Sequence, residues 1–480
     1  MAERIYDPRY ESKIMSAEDA AKFIKDGDVI AVSGFTSVGN PKAVPLALAK
    51  RAEAGEKIGV TLISGASVTD ELDGSLARSG VLKRRYPYQS HKDVRAGANN
   101  GTIHYQDQHL GSVPYMIRQK VYGDINVAII EAVAVDEKGI WPAPSGGISN
   151  TAVKYADKVI IEINTALSEN AKGMHDFYDI EPLPDTKPIP ICKASDRIGT
   201  PYIPCTPDKV AAIVYTDIPY RGKALPAPDD VMKKIAKNLI EVLEKEVAKG
   251  GLPLPLPPMQ SGVGGVANAV LTGLADSSFE DLVVYTEVMQ DSVLDLIDAG
   301  KVKFVSTASI PLSTEYMEKL FGNIDKYKDS IVIRPQDLSN NPEVIRRLGL
   351  IAMNTALEAD ITGNVNSTHV NGRGVMNGLG GSNDFARNAA ITIFTTGSTA
   401  KNGEVSCIVP HCSHIDHTEH DVQFIITEWG AADLRGLDAY EKAELIIEKC
   451  AHPKFRDELR AYLEKAKNDP KRGHGVPMDL

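Results

Sequence analysis

The strongest candidate for covalent chemistry in this 480-residue chain is Glu287, which closes the apolar run DLVVYTE at 281–287. In open parallel sheets ligands bind outside the carboxyl ends of the strands, so a carboxylate there is placed to act as nucleophile or base. A solvent-facing glutamate fits the same position. Two glycine-rich turns, QSGVGGVANA at 260–269 and NGLGGSNDFARNA at 377–389, offer backbone N–H groups that a ligand can approach closely. Such groups hold either a phosphate or the oxyanion of an acyl transfer. A dinucleotide site is a poor match to GVGGVA, because no strand-like run directly precedes it. In PHCSHIDHTEHD at 410–421, His411, His414, His417 and His420 recur every three residues, with Cys412, Asp416 and Glu419 between them. Zinc uses these residue types. Three-residue spacing drifts around a helix, however, and the segment runs into the strand-like DVQFIITEWG, so a polar loop without metal is the expectation.

The elements that must position these residues alternate between buried strand and helix. Strand-like runs include DVIAVSG (28–34), VTLISG (60–65), INVAIIEAVAV (125–135), DKVIIEIN (157–164), VKFVST (302–307) and AAITIFTTG (389–397). Continuous apolar strands separated by helical stretches predict an α/β architecture with parallel sheets. The chain also echoes itself. Gly34 and Gly262 open similar turns, a separation of 262−34 = 228, and Pro114 and Pro342 lie 342−114 = 228 apart. DGSLARSGVLK at 73 resembles DSVLDLIDAGKVK at 291, and GGISNTAVKYADKVIIEIN at 146 resembles GGSNDFARNAAITIF at 380. Matches in the same order at nearly constant offset indicate an internal duplication. Aligned this way, Glu287 falls opposite Gly65, so one half carries a carboxylate where the other carries none. The Pro-, Gly- and charge-rich stretch 216–230 reads as the linker, which gives domains 1–222 and 223–480, with Glu287 in the second.

Composition narrows the function. With 43% hydrophobic and 24% charged residues the chain is ordinary globular protein. Lys+Arg 53 against Asp+Glu 64 gives a net charge of -11, which argues against nucleic acid or an anionic membrane as main partner. An anionic small ligand needs only a few local cations. Five cysteines without a CxxC pair (Cys192, Cys205, Cys407, Cys412, Cys450) read as a reducing, cytoplasmic setting. The N-terminal MAERIYDPRYESK has no apolar core, so no signal peptide is expected, and no run is apolar enough to span a bilayer.

The ordered motifs SGVGGVANAV, YTEVMQD, RPQDLSNNPEVIRRLG, DITGNVNST, GLGGSNDFARNA and HTEHDVQFIITEWGAADLRG resemble the acetyl-CoA hydrolase/transferase family of class I CoA-transferases. IHYQDQHLGSVP (103–114) and GMHDFYDI (173–180) extend the likeness over nearly the whole chain. It is strongest toward the succinyl-CoA:acetate and propionyl-CoA:succinate branch. The resemblance implies two homologous open α/β domains of the NagB/RpiA-like fold, with the active site in the cleft between them. It also implies coenzyme A as a substrate, no permanently bound cofactor, acyl-CoA and small carboxylates as partners, and a homodimer.

By the same resemblance Glu287 is the nucleophile, passing through an acyl-glutamyl anhydride and a glutamyl-CoA thioester. Backbone N–H groups at Val263 and Gly381 correspond to the oxyanion donors, and Asn340 to an amide that orients the nucleophile, although an Asx-turn before Pro342 would also use it. Met259, Gln260, Ser261, Gly262 and Val263 match the CoA-contacting stretch, joined by Leu357, Gly381 and Lys401. Arg221 and Ser64 resemble positions that handle CoA, while a linker cation and a strand-end hydroxyl remain open for them. The chain departs from the common pattern at Ser292, where Gly is frequent, and at Gly265, where GVGNVANA is commoner. Three activities compete: CoA transfer between short-chain acids, acyl-CoA hydrolysis, and acyl-CoA sensing without catalysis. Hydrolysis calls for a base to activate water, and no separate His or carboxylate is motif-placed for it. A sensor need not keep the glutamate. Transfer is the expectation.

Overall fold

The computed structural model describes residues 3–478. The chain packs as two compact units. The first holds the residues up to Ala224 together with Tyr285–Asp291 and Phe304–Arg347, and the second holds Leu225–Val284, Ser292–Lys303 and the residues from Leu348 onward. Glu287 and Asn340 therefore lie in the first unit, whereas Val263, Gly381 and Lys401 lie in the second.

The first unit is built on strands β1 (Val29–Val32), β2 (Val60–Ile63), β3 (Leu82–Tyr86), β4 (His104–Tyr105), β5 (Ile125–Asp136), β6 (Gly139–Pro142), β7 (Ala156–Asn164), β8 (Ile203–Pro204) and β9 (Val210–Thr216). They form one nine-stranded sheet in the order β8-β6-β5-β1-β2-β3-β4, with β7 also on β5 and β9 on β7. The central pairings are parallel, with Ile30 facing both Leu62 and Val127. Alternation of side chains explains the unbroken apolar runs. Ile30, Val32, Leu62, Val127 and Ile129 enter one core, while Ala31, Ile63, Ala128 and Ile130 enter a second on the other face.

Glu131 and Glu162 interrupt those runs and are nonetheless buried. Glu131 pairs with the ammonium of buried Lys42 and accepts from Asn164 Nδ2 at 2.7 Å. Glu162 accepts from the backbone N–H groups of Lys42, Ala43 and Val44 at 2.7, 3.0 and 2.7 Å. These are otherwise orphan donors at the start of helix α1 (Ala43–Glu53). Desolvation raises the Glu162 pKa above the ordinary carboxylate range, and the three N–H groups oppose that rise.

The second unit opens with helix α2 (Asp230–Ala248). Asp229 caps it by accepting from Met232 N, and Ile235, Leu239, Val242 and Leu243 form its buried face. Then come β10 (Met259–Ser261), helix α3 (Gly265–Ala275) and β11 (Leu282–Tyr285). Strands β12 (Val302–Thr307) and β13 (Ile331–Ile333) and the short helix α4 (Gln336–Ser339) follow, so the chain has re-entered the first unit by Phe304. It ends with β14 (Ile351–Thr355), helix α5 (Ser382–Ala386), β15 (Ile391–Thr395), β16 (Phe424–Thr427) and β17 (Gly430–Asp433). The order here is β11-β10-β14-β15-β16-β17. In the first unit the corresponding strands run β2-β1-β5-β7-β9. In each, the first strand lies between the second and a later one, and the sheet then grows outward, as an internal duplication requires. Among the described residues no helix is long and apolar enough to cross a membrane.

Candidate active site

Strand β11 ends at Tyr285, two residues before Glu287. Tyr285 is buried and its hydroxyl donates to the Leu338 carbonyl at 2.8 Å. Thr286 N donates to Ser306 O at 2.9 Å. The carbonyl of Glu287 then accepts from Ala308 N and Ser309 N, both at 2.9 Å, and Thr307 Oγ1 lies 3.0 Å from it. Ser309 Oγ donates in turn to Phe35 O at 2.9 Å. The main chain of Glu287 is thus pinned to the loop after β12, and its half-buried side chain projects from a fixed point.

That side chain meets Asn340. Nδ2 of Asn340 donates to Glu287 Oε1 at 2.5 Å, while Asn340 Oδ1 accepts from Ser339 Oγ at 2.7 Å. Asn340 sits at the C-terminus of α4, fully buried, and its N–H donates to Gln336 O at 2.9 Å. Gln336, also fully buried, donates from Nε2 to Leu110 O at 2.6 Å and from its backbone N to Gly147 O at 2.8 Å. Sequence reasoning missed Gln336, Ser339 and Ser309. Gln336 and Ser339 lie within the quoted RPQDLSNNPE, so closeness to Asn340 was the only signal. A short apolar wall of Phe35, Ala66, Leu110, Val288 and Ala308, with Tyr88 against it, encloses the turn. Desolvation raises the Tyr88 pKa above its ordinary value, and the carboxylates of Asp107 and Glu287 push the same way. An amide that donates to a carboxylate orients it without adding charge.

Of the other first-unit candidates, Ser64 is fully buried. Its Oγ accepts from Ser67 N at 3.1 Å and lies 3.1 Å from Ser67 Oγ. Ser67 continues to the buried pair Asp73–Arg85, whose arginine pKa is lowered by desolvation. Arg221 is exposed on the irregular segment after β9. Beside it, Tyr220 donates to Leu312 O at 2.8 Å, and a Cβ at Gly222 would come within 2.0 Å of the same oxygen, so the arginine is displayed from an anchored bend.

In the second unit Met259, Gln260 and Ser261 are buried as strand β10. Gln260 and Asn354 exchange amide hydrogen bonds at 3.1 and 3.2 Å. Gly262 N donates to Met353 O at 2.9 Å, and the chain emerges only at Val263, which is 53% exposed. Gly264 follows with φ 126, a conformation that L side chains rarely adopt, and α3 begins at Gly265. A Cβ at Gly265 would meet only the flexible end of the Met232 side chain, at 2.7 Å. Ser292 is buried, with no hydrogen-bond partner for its hydroxyl among the described residues. Gly381 is buried at the start of α5 behind Gly380, whose φ is 66. Leu357 is exposed, and its N–H donates to Asn366 O at 2.9 Å. Lys401, also exposed, is at a hairpin tip with φ 49.

The four histidines of 410–421 turn to separate partners. His411 Nε2 donates to Pro477 O at 3.0 Å. The His414 ring lies tilted against that of His369, centroids 3.9 Å apart, with Asp416 beside it, His417 is buried, and His420 is exposed. The one His/Cys/Asp/Glu group with metal-ligand spacing among the described residues is Asp70, His91 and Asp93, and Arg78 bridges its two carboxylates at 2.6 Å.

Comparison with known proteins adds to this geometry. Residues 1–215 match the acetyl-CoA hydrolase/transferase N-terminal domain and residues 317–463 its C-terminal domain. The chain is 50% identical over 466 residues to a succinyl-CoA:acetate CoA-transferase of Clostridium kluyveri, covering 96% of this chain and 86% of that one. It is 42% identical to a propanoyl-CoA:succinate CoA transferase of Escherichia coli (94% and 93% covered). It is also 42% identical to an acetyl-CoA hydrolase of Schizosaccharomyces pombe (98% and 92% covered). The fold matches the crystal structure of RipA from Yersinia pestis with a TM-score of 0.73 at 23% identity, over 96% of this chain and 98% of that one.

Proposed function

Because the chain belongs to the acetyl-CoA hydrolase/transferase family, we propose that it is an acyl-CoA:carboxylate CoA-transferase exchanging CoA among acetate, succinate, propionate and butyrate. The observation that carries this reading is Glu287, its backbone carbonyl tied down by two N–H groups and its Oε1 held by Asn340 at 2.5 Å. An oxygen of Glu287 attacks the thioester carbonyl, the carbon–sulfur bond breaks, and CoA thiolate leaves an acyl-glutamyl anhydride. The thiolate then adds to the glutamyl carbon, expelling the first acid as carboxylate and leaving a Glu287–CoA thioester. An acceptor carboxylate reverses both steps. No proton is gained or lost, which suits a site whose nucleophile needs no base.

Each addition makes an oxyanion. We assign the Val263 and Gly381 N–H groups to the acyl oxyanion and Asn340 to the glutamyl one. Gly262 and Val263, with Leu357 and Lys401, contact CoA in this reading. The buried Met259, Gln260 and Ser261 support that stretch from beneath, while Arg221 and Ser64 complete the CoA-handling set. We also propose a cytoplasmic homodimer, and an ancestral division into 1–222 and 223–480.

The relatives named acetyl-CoA hydrolase favour a second reading, in which water intercepts the anhydride or thioester. One reaction separates the two: enzyme, succinyl-CoA and an equimolar panel of acetate, propionate and butyrate, followed by mass spectrometry. Transfer yields new acyl-CoA species with little free CoA, and intact-mass analysis finds CoA less one water on the Glu287 peptide. Free CoA accumulating at the same rate without any carboxylate would overturn the transferase reading.

A further inference from the structure

The histidine-rich segment 410–421 contributes one ring to the turn that carries Gly381. His417 is fully buried, and its backbone exchanges hydrogen bonds with Val365 at 2.9 and 3.0 Å, so the ring enters from a fixed base. One ring face packs on Phe394 of β15, with centroids 4.5 Å apart. Nδ1 lies 3.3 Å from Asn383 Nδ2, and Nε2 lies 3.1 Å from Ser382 Oγ.

The donors and acceptors here can be assigned in one way. Asn383 Nδ2 lies 3.0 Å from the Asp416 carbonyl, which only accepts, so the nitrogen of that amide must point this way. An amide nitrogen only donates, hence His417 Nδ1 accepts and the ring proton is on Nε2. Nε2–H then donates to Ser382 Oγ, whose own proton goes to Leu379 O at 3.0 Å. A directed chain of hydrogen bonds therefore runs from Asn383 through His417 and Ser382 to Leu379. It fastens both ends of the turn Leu379–Gly380–Gly381–Ser382. Between those fastened ends Gly380 has φ 66, and the peptide whose N–H belongs to Gly381 has no side chain of its own to hold it.

We propose that His417, as the neutral Nε2–H tautomer, is the positioning residue that aims the Gly381 N–H. This rests on the reading of Gly381 as an oxyanion donor. His417 touches no reacting atom. It acts through Ser382 and Asn383, and an oxyanion donor is effective only if it is already aimed before charge develops.

The test uses the full-length enzyme in three variants. His417→Phe keeps the packing on Phe394 and removes both nitrogens. His417→Gln restores an N–H toward Ser382, and Ser382→Ala removes the middle of the chain. Losing an oxyanion donor outright costs about 10²–10³ in rate, so mis-aiming one should lower kcat of His417→Phe by about 10-fold to 10²-fold. KM for acyl-CoA should move less than about twofold, and His417→Gln should recover most of kcat. Combining His417→Phe with Ser382→Ala should cost little more than either alone, since both cut one chain. Hydrogen exchange in the peptide covering 378–387 should quicken in His417→Phe and return toward wild type in His417→Gln.

Exchange that does not change in any variant overturns the positioning role. Faster exchange with wild-type kcat also overturns the proposal, and the failure then lies in the donor role of Gly381. The panel reaction on wild-type enzyme judges the transferase reading separately. Should His417→Phe not fold, the Gln and Ala variants decide by the same criteria.

Discussion

Replacing Asn340 by Ala tests the link from geometry to rate most directly. Asn340 is fully buried and donates to Glu287 Oε1 at 2.5 Å, while Ser339 Oγ and Gln336 O hold its other polar groups at 2.7 and 2.9 Å. The amide cannot turn away without breaking one of these. In the proposed anhydride and thioester the same Glu287 oxygen is the carbonyl oxygen, and it would become the oxyanion whenever thiolate or acceptor adds to the glutamyl carbon. A hydrogen bond to a charged partner is worth about 1.5–3 kcal/mol, or about 10-fold to 10²-fold in rate. Removal of an oxyanion donor costs about 10²–10³. The ranges meet near 10², the expected loss in kcat. Initial attack on the acyl-CoA builds charge on a different oxygen and should suffer less. The anhydride then persists, and water competes for it. Free CoA released per new acyl-CoA formed should rise, read by mass spectrometry of one reaction. Asn340→Asp gives the sign a second check. At low pH the introduced carboxyl is protonated and still donates to Glu287. As pH rises it ionises, and two carboxylates about 4 Å apart at an effective dielectric near 20 repel by about 4 kcal/mol. Its activity relative to wild type should therefore fall with rising pH. Asn340→Ala with kcat within threefold of wild type, or Asn340→Asp gaining relative activity as pH rises, refutes the reasoning.

Glu287→Gln should abolish CoA exchange and the CoA mass adduct while moving the melting temperature little, since Asn340 can still find an acceptor; retained exchange would remove Glu287 from the mechanism. Gly65→Ala should cost about 1–3 kcal/mol of stability by denaturant titration and lower kcat as well. The cause is a Cβ 2.6 Å from Gly34 O and 2.9 Å from Gln336 Oε1, the residue that supports Asn340. Burial lowers the His175 pKa to about 4, with hydrogen bonds to its neighbours opposing the shift. An unfolded histidine binds its proton near pH 6.5, so the stability that neutral His175 contributes is present above that value and is lost as pH falls toward 4. The loss is about 3 kcal/mol when complete. Denaturant midpoints should fall over this window, and His175→Phe, though less stable at neutral pH, should show a shallower fall.

How much of this was legible depends on how far apart in the chain the partners lie. Parallel strands buried on both faces write themselves as apolar runs, so β1, β2, β5, β7 and β12 were readable within one or two residues. The end of β11 was read to the same margin, two residues beyond Tyr285. Glu131 and Glu162 broke the strand pattern without disclosing Lys42, 89 and 120 residues away, as their partner. The histidine run drew attention by its spacing, yet that spacing carries no information. What matters is that one ring of four faces Ser382 and Asn383, 35 and 34 residues away. Gln336 was invisible because its side chain caps the Leu110 carbonyl, a partner 226 residues distant.

The duplication explains why only one strand end carries the carboxylate. Gly65, opposite Glu287 in the internal alignment, could not accept one. Its missing Cβ would lie 2.6 Å from Gly34 O, 2.9 Å from Gln336 Oε1 and 3.1 Å from Gly147 Cα. A Cβ at Gly147 would likewise stand 2.7 Å from Gly34 O. Three glycines from the first half thus close on one another and leave a mould into which Gln336 fits, and Gln336 holds the helix that ends in Asn340. The strand end without a carboxylate is not idle. It packs against Gln336, and a side chain placed at position 65 would push on Gln336 and on the Gly34 carbonyl. Close packing at Gly65 and a projecting side chain at Glu287 are thus the physical reason two strands in equivalent sheet positions end in residues as unlike as glycine and glutamate.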